Sequence, residues 1–381
     1  MSFSACRPRI RVVCAAVLGI LVLTACTSPQ PAPPVAVKRP EAAVHVFLWG
    51  AFDTTARDLR LAKDGGFTWV KQQFEWRNIE GQGKGRFEWN EPDRIMKAID
   101  DASLKVVARV DGYATWARAE QVYPDDGPPD RMSDWADFLT ALATRYRGRI
   151  DGYEIWNEPN LTREWARKPP SAVEYTEMLR ASYRAIKAAD PQAIVITGAP
   201  SPTTETSVNA RPDTTFLREM YAAGARGNFD VLGVHAAGFK SPPETDPAVV
   251  ANDPRLNNND PSPHELRRAY TFRRVEDLRQ IMVENGDADK SVAVLEMGWT
   301  SDNRPTSDYR WHAVTEQEKA DYLARAFRYA RTNWPWMSFM TVIYIPDPRW
   351  KPDQEQLYWS ITNLDGTPRE AYNVLKQSLR E

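Results

Sequence analysis

The chain is poor in cysteine, with three in 381 residues, namely Cys6, Cys14 and Cys26. Because all three lie near the N-terminus, the rest of the chain can form neither a disulfide framework nor a cysteine-ligated metal site. Histidine is also scarce, with four residues, and none forms a cluster with metal-ligand spacing. No glycine-rich phosphate-binding loop follows a predicted strand. We therefore expect no zinc or P-loop site, no other metal and no cofactor.

The sequence also lacks an excess of positive charge, with a net charge of −2. Three of the 49 basic residues lie in residues 1–25, which contain no acidic residue. Residues 26–381 thus hold 46 basic against 51 acidic side chains, a net charge of −5. A nucleic-acid-binding protein needs a basic surface, so nucleic acid is not an expected partner.

The N-terminus has the pattern of a targeting segment. Arg7, Arg9 and Arg11 precede an apolar run over residues 12–23, which is too short for a permanent membrane-spanning helix. The run ends in Leu23-Thr24-Ala25-Cys26, which resembles the bacterial lipoprotein signal, where Cys26 would carry the lipid. An ordinary secretory signal with a chance cysteine is the alternative.

This interpretation divides the chain into three parts. Residues 1–25 are predicted to be a lipoprotein signal peptide, and the proline-rich residues 26–41 a tether. Residues 42–381 are predicted to be one domain. We expect it to be attached to a membrane of the bacterial cell envelope through Cys26, facing outside the cytoplasm.

Short apolar runs alternate with helical patterns along residues 42–381, which is typical of βα units around a parallel sheet. The predicted strands are residues 44–49, 68–74, 105–110, 152–160, 193–198, 229–235, 292–295 and 339–344. Eight strands in alternation with about eight helices predict an α/β fold, a (β/α)8 TIM barrel.

The long loops of this pattern carry few signals of metal binding. Residues 240–264 contain six prolines and are expected either to rim a site or to be disordered. The acidic or amide-rich runs 125–126 and 257–260 lack EF-hand spacing, so we interpret them as solvated loops in preference to calcium sites.

Two glutamates lie at the ends of two predicted strands: Glu158 at the end of the fourth and Glu296 at the end of the seventh. A barrel brings the C-terminal strand ends onto one rim, where such enzymes keep their chemistry. Glycoside hydrolysis needs a carboxyl pair, one to protonate the leaving oxygen and one to attack or stabilise the anomeric carbon. Since Asn157 and Glu158 must both face one sugar, we expect a bulge or twist at the end of strand four.

Asn157-Glu158-Pro159 and the strand-seven Glu296 resemble the large clan A of retaining (β/α)8 glycoside hydrolases, most closely family 39-like and cellulase-like bacterial enzymes. The resemblance implies a carbohydrate substrate, with Glu158 as acid/base and Glu296 as nucleophile. It also implies Asn157 as donor to the sugar 2-hydroxyl and His235 as a histidine beside the nucleophile.

The sequence departs from that family pattern at three positions. Ala236-Ala237 follows His235 where the clan has a tyrosine, so the tyrosine that bonds the nucleophile is expected either to come from elsewhere, with Tyr344 as candidate, or to be absent. Lys71 stands at the strand-two position that often carries arginine. No tryptophan ends strand eight.

Several of these residues also have structural interpretations. Trp116, Trp156 and Trp299 are predicted either to line the cleft by stacking on sugars or to be plain core. His235 could be a satisfied core histidine. Glu154 is expected to pair with Lys71 or Arg109 inside the barrel and not to be a third catalytic acid.

The predicted function is a retaining glycoside hydrolase that cleaves O-glycosidic bonds in oligo- or polysaccharides, similar to β-xylosidases or cellulases. As a general acid, Glu158 is expected to have a raised pKa in the resting protein. The alternatives are a non-hydrolytic carbohydrate-binding or envelope-assembly lipoprotein, and a transglycosylase that uses the same residues.

Overall fold

The computed structural model describes residues 1–2 and 40–380, and residues 40–380 lie within one compact unit. Residues 3–25 of the predicted signal peptide and residues 26–39 of the predicted tether, Cys26 included, lie outside the described residues. Across the described part of the chain, we find no helix that combines the length and the apolar character needed to cross a bilayer.

Eight parallel strands close into a barrel, which confirms the predicted (β/α)8 fold. Each strand pairs with the next, and β1 pairs with β8 to close the ring. The strands are β1 Glu41–His45, β2 Trp69–Glu75, β3 Lys105–Asp111, β4 Gly152–Ile155, β5 Ile194–Thr197, β6 Val231–Ala237, β7 Ser291–Gly298 and β8 Met337–Val342.

Helices connect the strands and cover the outside of the barrel. They are α1 Thr55–Asp64, α2 Trp76–Ile79, α3 Asn90–Asp101, α4 Met132–Arg145, α5 Ala172–Ala189, α6 Asp213–Ala222, α7 Pro247–Asn252, α8 His264–Arg267, α9 Arg274–Glu284, α10 Glu316–Asn333, α11 Gln356–Trp359 and α12 Glu370–Ser378. Short 3₁₀ turns occupy Thr115–Ala117, Thr162–Glu164 and Arg310–His312.

Local signals explain where two of these helices begin. A capping box starts α10, because Glu318 N donates to Thr315 Oγ1 at 3.1 Å and Thr315 N to Glu318 Oε2 at 2.8 Å. Ser171 caps α5.

The barrel interior changes from apolar to polar along its axis, and β2 shows why. Residues of one parity on a strand share a face, so Trp69, Lys71 and Gln73 point inward together. Trp69 stacks on Phe339 near the N-terminal ends of the strands, with 5.0 Å between the ring centroids. Lys71 lies above it among carboxylates. The polar end of the barrel therefore coincides with the C-terminal ends of the strands, where the site is expected.

The segment 240–264 differs from both expectations for it. It contains the helix α7 and is held by hydrogen bonds, such as those from Asn257 Nδ2 to Val250 O and Ala251 O. None of the residues lining the main cavity comes from this segment. Two separate helices, α8 and α9, follow at the end of this segment.

Candidate active site

A cavity of about 450 Å³ lies at the C-terminal ends of the strands. Five of the residues singled out in the sequence line it: Asn157, Glu158, His235, Glu296 and Tyr344. The barrel thus brings together both glutamates, which are 138 positions apart in the chain.

The chain turns sharply between β4 and Glu158. Trp156 and Glu158 both have positive φ, 68° and 41°, so a left-handed turn takes the place of the expected bulge. Tyr175 Oη donates to Ile155 O at 2.9 Å and accepts from Gly198 N at 2.6 Å, which holds the strand end. A side chain at Gly198 would meet Ile155 O at 2.5 Å, so glycine is required there. The turn brings Asn157 and Glu158 to the same cavity.

The Glu158 carboxylate has two cationic or potentially cationic neighbours. His235 Nδ1 lies 3.2 Å from Glu158 Oε1, and Arg163 forms an ion pair with Oε2. Burial alone would raise the pKa of Glu158, but the bond to His235 and the charge of Arg163 outweigh it, and the pKa is lowered. The expectation of a raised pKa in the resting protein is therefore wrong, since neither the bond between His235 and Glu158 nor the ion pair with Arg163 was anticipated.

Glu296 is held as an anion by a lysine inside the barrel. Lys71 Nζ lies 3.3 Å from Glu296 Oε1 and 2.9 Å from Glu154 Oε2, and its side chain is 0% exposed. Burial opposes ionisation of Glu296, but the positive charge of Lys71 brings its pKa well below the ordinary value. The predicted pairing of Glu154 is confirmed. Lys71 does not line the cavity, so its assignment as a substrate-binding residue is corrected to that of a counter-ion.

Three polar atoms of described residues that line the cavity have no protein partner. Asn157 Oδ1, His235 Nε2 and His312 Nδ1 are buried without a hydrogen bond. A buried polar atom that lacks a partner is costly, and a ligand that supplies one removes the cost. These atoms are thus suited to bind hydroxyl groups of a ligand, and His235 is not a fully satisfied core histidine.

Tyr344 follows β8 after a cis peptide bond and lines the cavity. Its ring packs edge-on against those of His45 and Trp350, with centroid distances of 5.4 Å and 5.2 Å. Burial, followed by the negative charge of Glu296, raises the pKa of Tyr344 well above its ordinary value. Tyr344 is therefore a neutral phenol in the electrostatic range of Glu296, and its expected bond to that carboxylate stays a prediction.

The three predicted cleft tryptophans do not line this cavity. Trp156 is buried, donates to Glu164 O and packs edge-on against Trp135. Trp299 is buried and donates to Ser241 O. Trp116 is half-buried and donates to Glu80 O. Each indole N–H already has a backbone acceptor and each ring packs in the outer core, so their assignment to sugar stacking is corrected.

Other residues line the cavity that the sequence did not single out as a site. They are loop residues that no strand pattern marks, and they include Arg163, Glu164, Tyr309, His312, Glu355 and Trp359. The one available signal was the nearness of Arg163 and Glu164 to the Asn157-Glu158-Pro159 motif.

The two candidate calcium runs are engaged with protein groups. Asp125 pairs with Arg167 and Asp126 with Arg77, while Asp260 accepts from Tyr270. Among residues 1–2 and 40–380, no group of three or more His, Cys, Asp or Glu side chains is arranged to hold a metal ion.

Solved structures share this fold over nearly the whole chain. A family 39 glycoside hydrolase from Bacteroides cellulosilyticus WH2 matches with a TM-score of 0.62 and 21% identity, over 90% of this chain and 64% of that chain. The family 39 enzyme from Xanthomonas axonopodis pv. citri matches with a TM-score of 0.61 and 17% identity, over 89% of this chain and 65% of that chain. The chain therefore spans about two thirds of the length of these two structures.

XacCel5A, solved in complex with cellopentaose, matches with a TM-score of 0.58 and 14% identity over 90% of this chain and 100% of that chain. At these identities the structures establish the fold alone. No curated protein matches the sequence. The model of the cellulase family, glycosyl hydrolase family 5, matches residues 32–338. Since that match covers most of the chain, the protein belongs to glycosyl hydrolase family 5, within the clan of retaining (β/α)8 glycoside hydrolases predicted from its sequence.

Proposed function

We propose that this glycoside hydrolase acts by double displacement, with Glu296 as nucleophile and Glu158 as acid/base. The observation that supports this most is the difference between the two carboxylates of one cavity. Glu296 is neutralised by the immovable, buried Lys71, whereas Glu158 faces a partly exposed cation. A nucleophile must stay ionised, while an acid/base must gain and lose a proton.

The proposed reaction has two steps. Glu296 attacks the anomeric carbon and Glu158 protonates the departing oxygen, which leaves a glycosyl-enzyme. Glu158 then removes a proton from water, which attacks the same carbon and releases Glu296. Asn157 Oδ1 and His235 Nε2 are free to bond sugar hydroxyls during both steps.

For the substrate, we propose β-linked glucan or xylan oligosaccharides. The cellulase family match and the cellopentaose complex of XacCel5A support a neutral sugar chain. Tyr309, Trp359 and Phe239 line the cavity from loops after β7, β8 and β6, and aromatic rings provide apolar faces for pyranose rings.

A retaining mechanism predicts the anomer of the first product. With p-nitrophenyl β-cellobioside, we expect proton NMR to show the β-anomer of cellobiose first, followed by slow mutarotation. Two displacements at one carbon restore the starting configuration. Pure β-cellobiose in the same buffer serves as the mutarotation control. Initial α-anomer would show that water attacks directly and that Glu296 is not a nucleophile.

We also propose that the protein is a lipoprotein of the bacterial cell envelope, attached through Cys26. The support is the Leu23-Thr24-Ala25-Cys26 motif and the proline-rich residues that follow it. A bacterial lipoprotein carries more than one acyl chain, and two chains anchor stably where one does not.

Replacing Cys26 by serine is therefore expected to move the protein from the membrane fraction to the soluble fraction, or to leave the precursor uncleaved. Immunoblots of fractionated cells measure both size and location. Cys14→Ser, within the apolar run, is the matched control and should remain membrane-bound. A Cys26→Ser protein of processed size that stays in the membrane fraction would contradict the lipid anchor.

A further inference from the structure

The acid/base assigned to Glu158 faces a physical conflict in the resting protein. Arg163 pairs with its carboxylate, and together with the bond to His235 it lowers the pKa of Glu158. A general acid must instead carry a proton when the glycosidic bond breaks. Something must therefore change around Glu158 when a substrate enters.

The geometry of Arg163 allows such a change. Its side chain is 60% exposed, whereas that of Glu158 is 12% exposed. Its backbone is fixed, because Asp126 N donates to Arg163 O at 2.7 Å and Ala166 N to Asp126 O at 2.6 Å. The guanidinium can thus move while the loop stays in place.

A second carboxyl lies beside the first. Arg163 Nε is 3.4 Å from Glu164 Oε1, so one guanidinium bridges Glu158 and Glu164. Glu164 lines the cavity with 12% of its side chain exposed. Burial raises the pKa of Glu164 to about 8, so this carboxyl holds a proton at neutral pH.

We propose that Arg163 is a positioning residue that a bound sugar displaces from Glu158 toward Glu164, so that Glu158 becomes the acid only when substrate is present. Arg163 lines the cavity next to Glu158, where the leaving-group sugar must lie, and the two cannot occupy the same space. This inference rests on the proposed roles of Glu158 and Glu296.

The proton transfer that accompanies this movement takes place between the carboxyl groups of Glu164 and Glu158. As the guanidinium leaves Glu158 and approaches Glu164, Glu158 becomes the stronger base and Glu164 the stronger acid. The proton passes from the Glu164 carboxyl to the Glu158 carboxylate, directly or through one water. Once the leaving group departs, Arg163 returns and stabilises Glu158 as the anionic base of the second step.

Other groups also act on Glu158, and none of them offers the same freedom. Those with an electrostatic influence on it come from β4, β6, β7, β8 and the segments after them: His235, Arg163, Glu164, Glu296, Tyr309 and Tyr344. Of the two in this set that oppose the negative charge on Glu158, His235 is 4% exposed and Arg163 is 60% exposed.

The test begins with a readout that needs no turnover. The Glu158 carboxyl is followed by carbon-13 NMR titration, with Glu158→Gln identifying its signal. In Arg163→Ala we expect its midpoint to rise by about one pH unit or more, since a nearby opposite charge shifts a carboxyl by about 1–3 units. Arg167→Ala, an exposed arginine of the same loop paired with Asp125, should leave the midpoint unchanged. An unchanged midpoint in Arg163→Ala overturns the inference, whether or not the protein hydrolyses any glycoside.

The second readout is the pH profile with p-nitrophenyl β-cellobioside. The alkaline limb of kcat/KM reports free Glu158, and that of kcat reports Glu158 in the complex. In the wild type we expect the kcat limb at the higher pH. Arg163→Ala should raise the pH of the kcat/KM limb to that of the kcat limb. Glu164→Gln should lower the pH of the kcat limb. Coincident limbs in the wild type, or limbs that Arg163→Ala leaves in place while only KM rises, would make Arg163 a plain sugar-binding group.

Discussion

Replacing Glu296 by alanine is expected to abolish turnover of every glycoside, with kcat reduced more than about 10⁴-fold, the scale seen when a covalent nucleophile is removed. The only other acidic side chains that line the cavity are Glu158, Glu164 and Glu355. Glu355 accepts from Trp359 Nε1 at 2.6 Å, and burial raises its pKa, so it is a poor nucleophile. The measurement is release of p-nitrophenol from p-nitrophenyl β-cellobioside.

Azide distinguishes the two glutamates. In Glu296→Ala, azide should enter from the side of the missing carboxylate and give the inverted glycosyl azide. In Glu158→Ala, azide should intercept the glycosyl-enzyme and give the retained anomer, with kcat for aryl glycosides falling less, because a good leaving group needs little protonation. NMR of the azide products reads the outcome. Exchanged anomers would mean that the two roles are exchanged, and wild-type rates in both variants would show that neither glutamate is catalytic.

Replacing Lys71 by methionine is expected to destabilise the fold by about 3–5 kcal/mol, because it leaves buried carboxylates without their cation. Lys71 and Glu154 are both 0% exposed, and Glu296 shares the same ammonium group. Urea denaturation measures the free energy of unfolding. The matched control is Lys97→Met, which removes an exposed pair with Asp101 and should change that free energy by about 0.5 kcal/mol or less.

The pH dependence of the Lys71→Met effect has a definite sign. Because Lys71 lowers the folded-state pKa of Glu296, its stabilisation through Glu296 is fully present above the unfolded pKa of about 4.3 and is lost as pH falls through the folded value. The difference in unfolding free energy between wild type and variant should thus shrink on acidification. The acid limb of kcat/KM should move to higher pH in the variant. A pH-independent difference would mean that lost packing, not lost charge, accounts for the effect.

The amino-acid sequence alone predicts the barrel and the two glutamates of the site. Strand and helix periodicities depend on local spacing, so eight apolar runs separated by helical patterns are legible without any long-range contact. Glu158 and Glu296 were located because each ends such a run, and parallel strands in a barrel end on one rim. The interior position of Glu154 and its pairing with Lys71 or Arg109 follow from parity, since alternating side chains share the barrel interior, and the structure selects Lys71.

Tertiary structure decided everything that depends on which side chains meet across the fold. Trp156 and Trp299 lie at strand ends as a sugar platform would, yet their indoles turn to the outer core, a choice set by packing partners distant in sequence. Arg163 lies five residues beyond Glu158, but only the turn at Trp156 and the backbone bonds of Asp126 bring its guanidinium back to that carboxylate. The lowered pKa of Glu158 follows from its hydrogen bond with His235 and from this contact, because a carboxyl's pKa depends on the charges within a few ångströms and not on its neighbours along the chain.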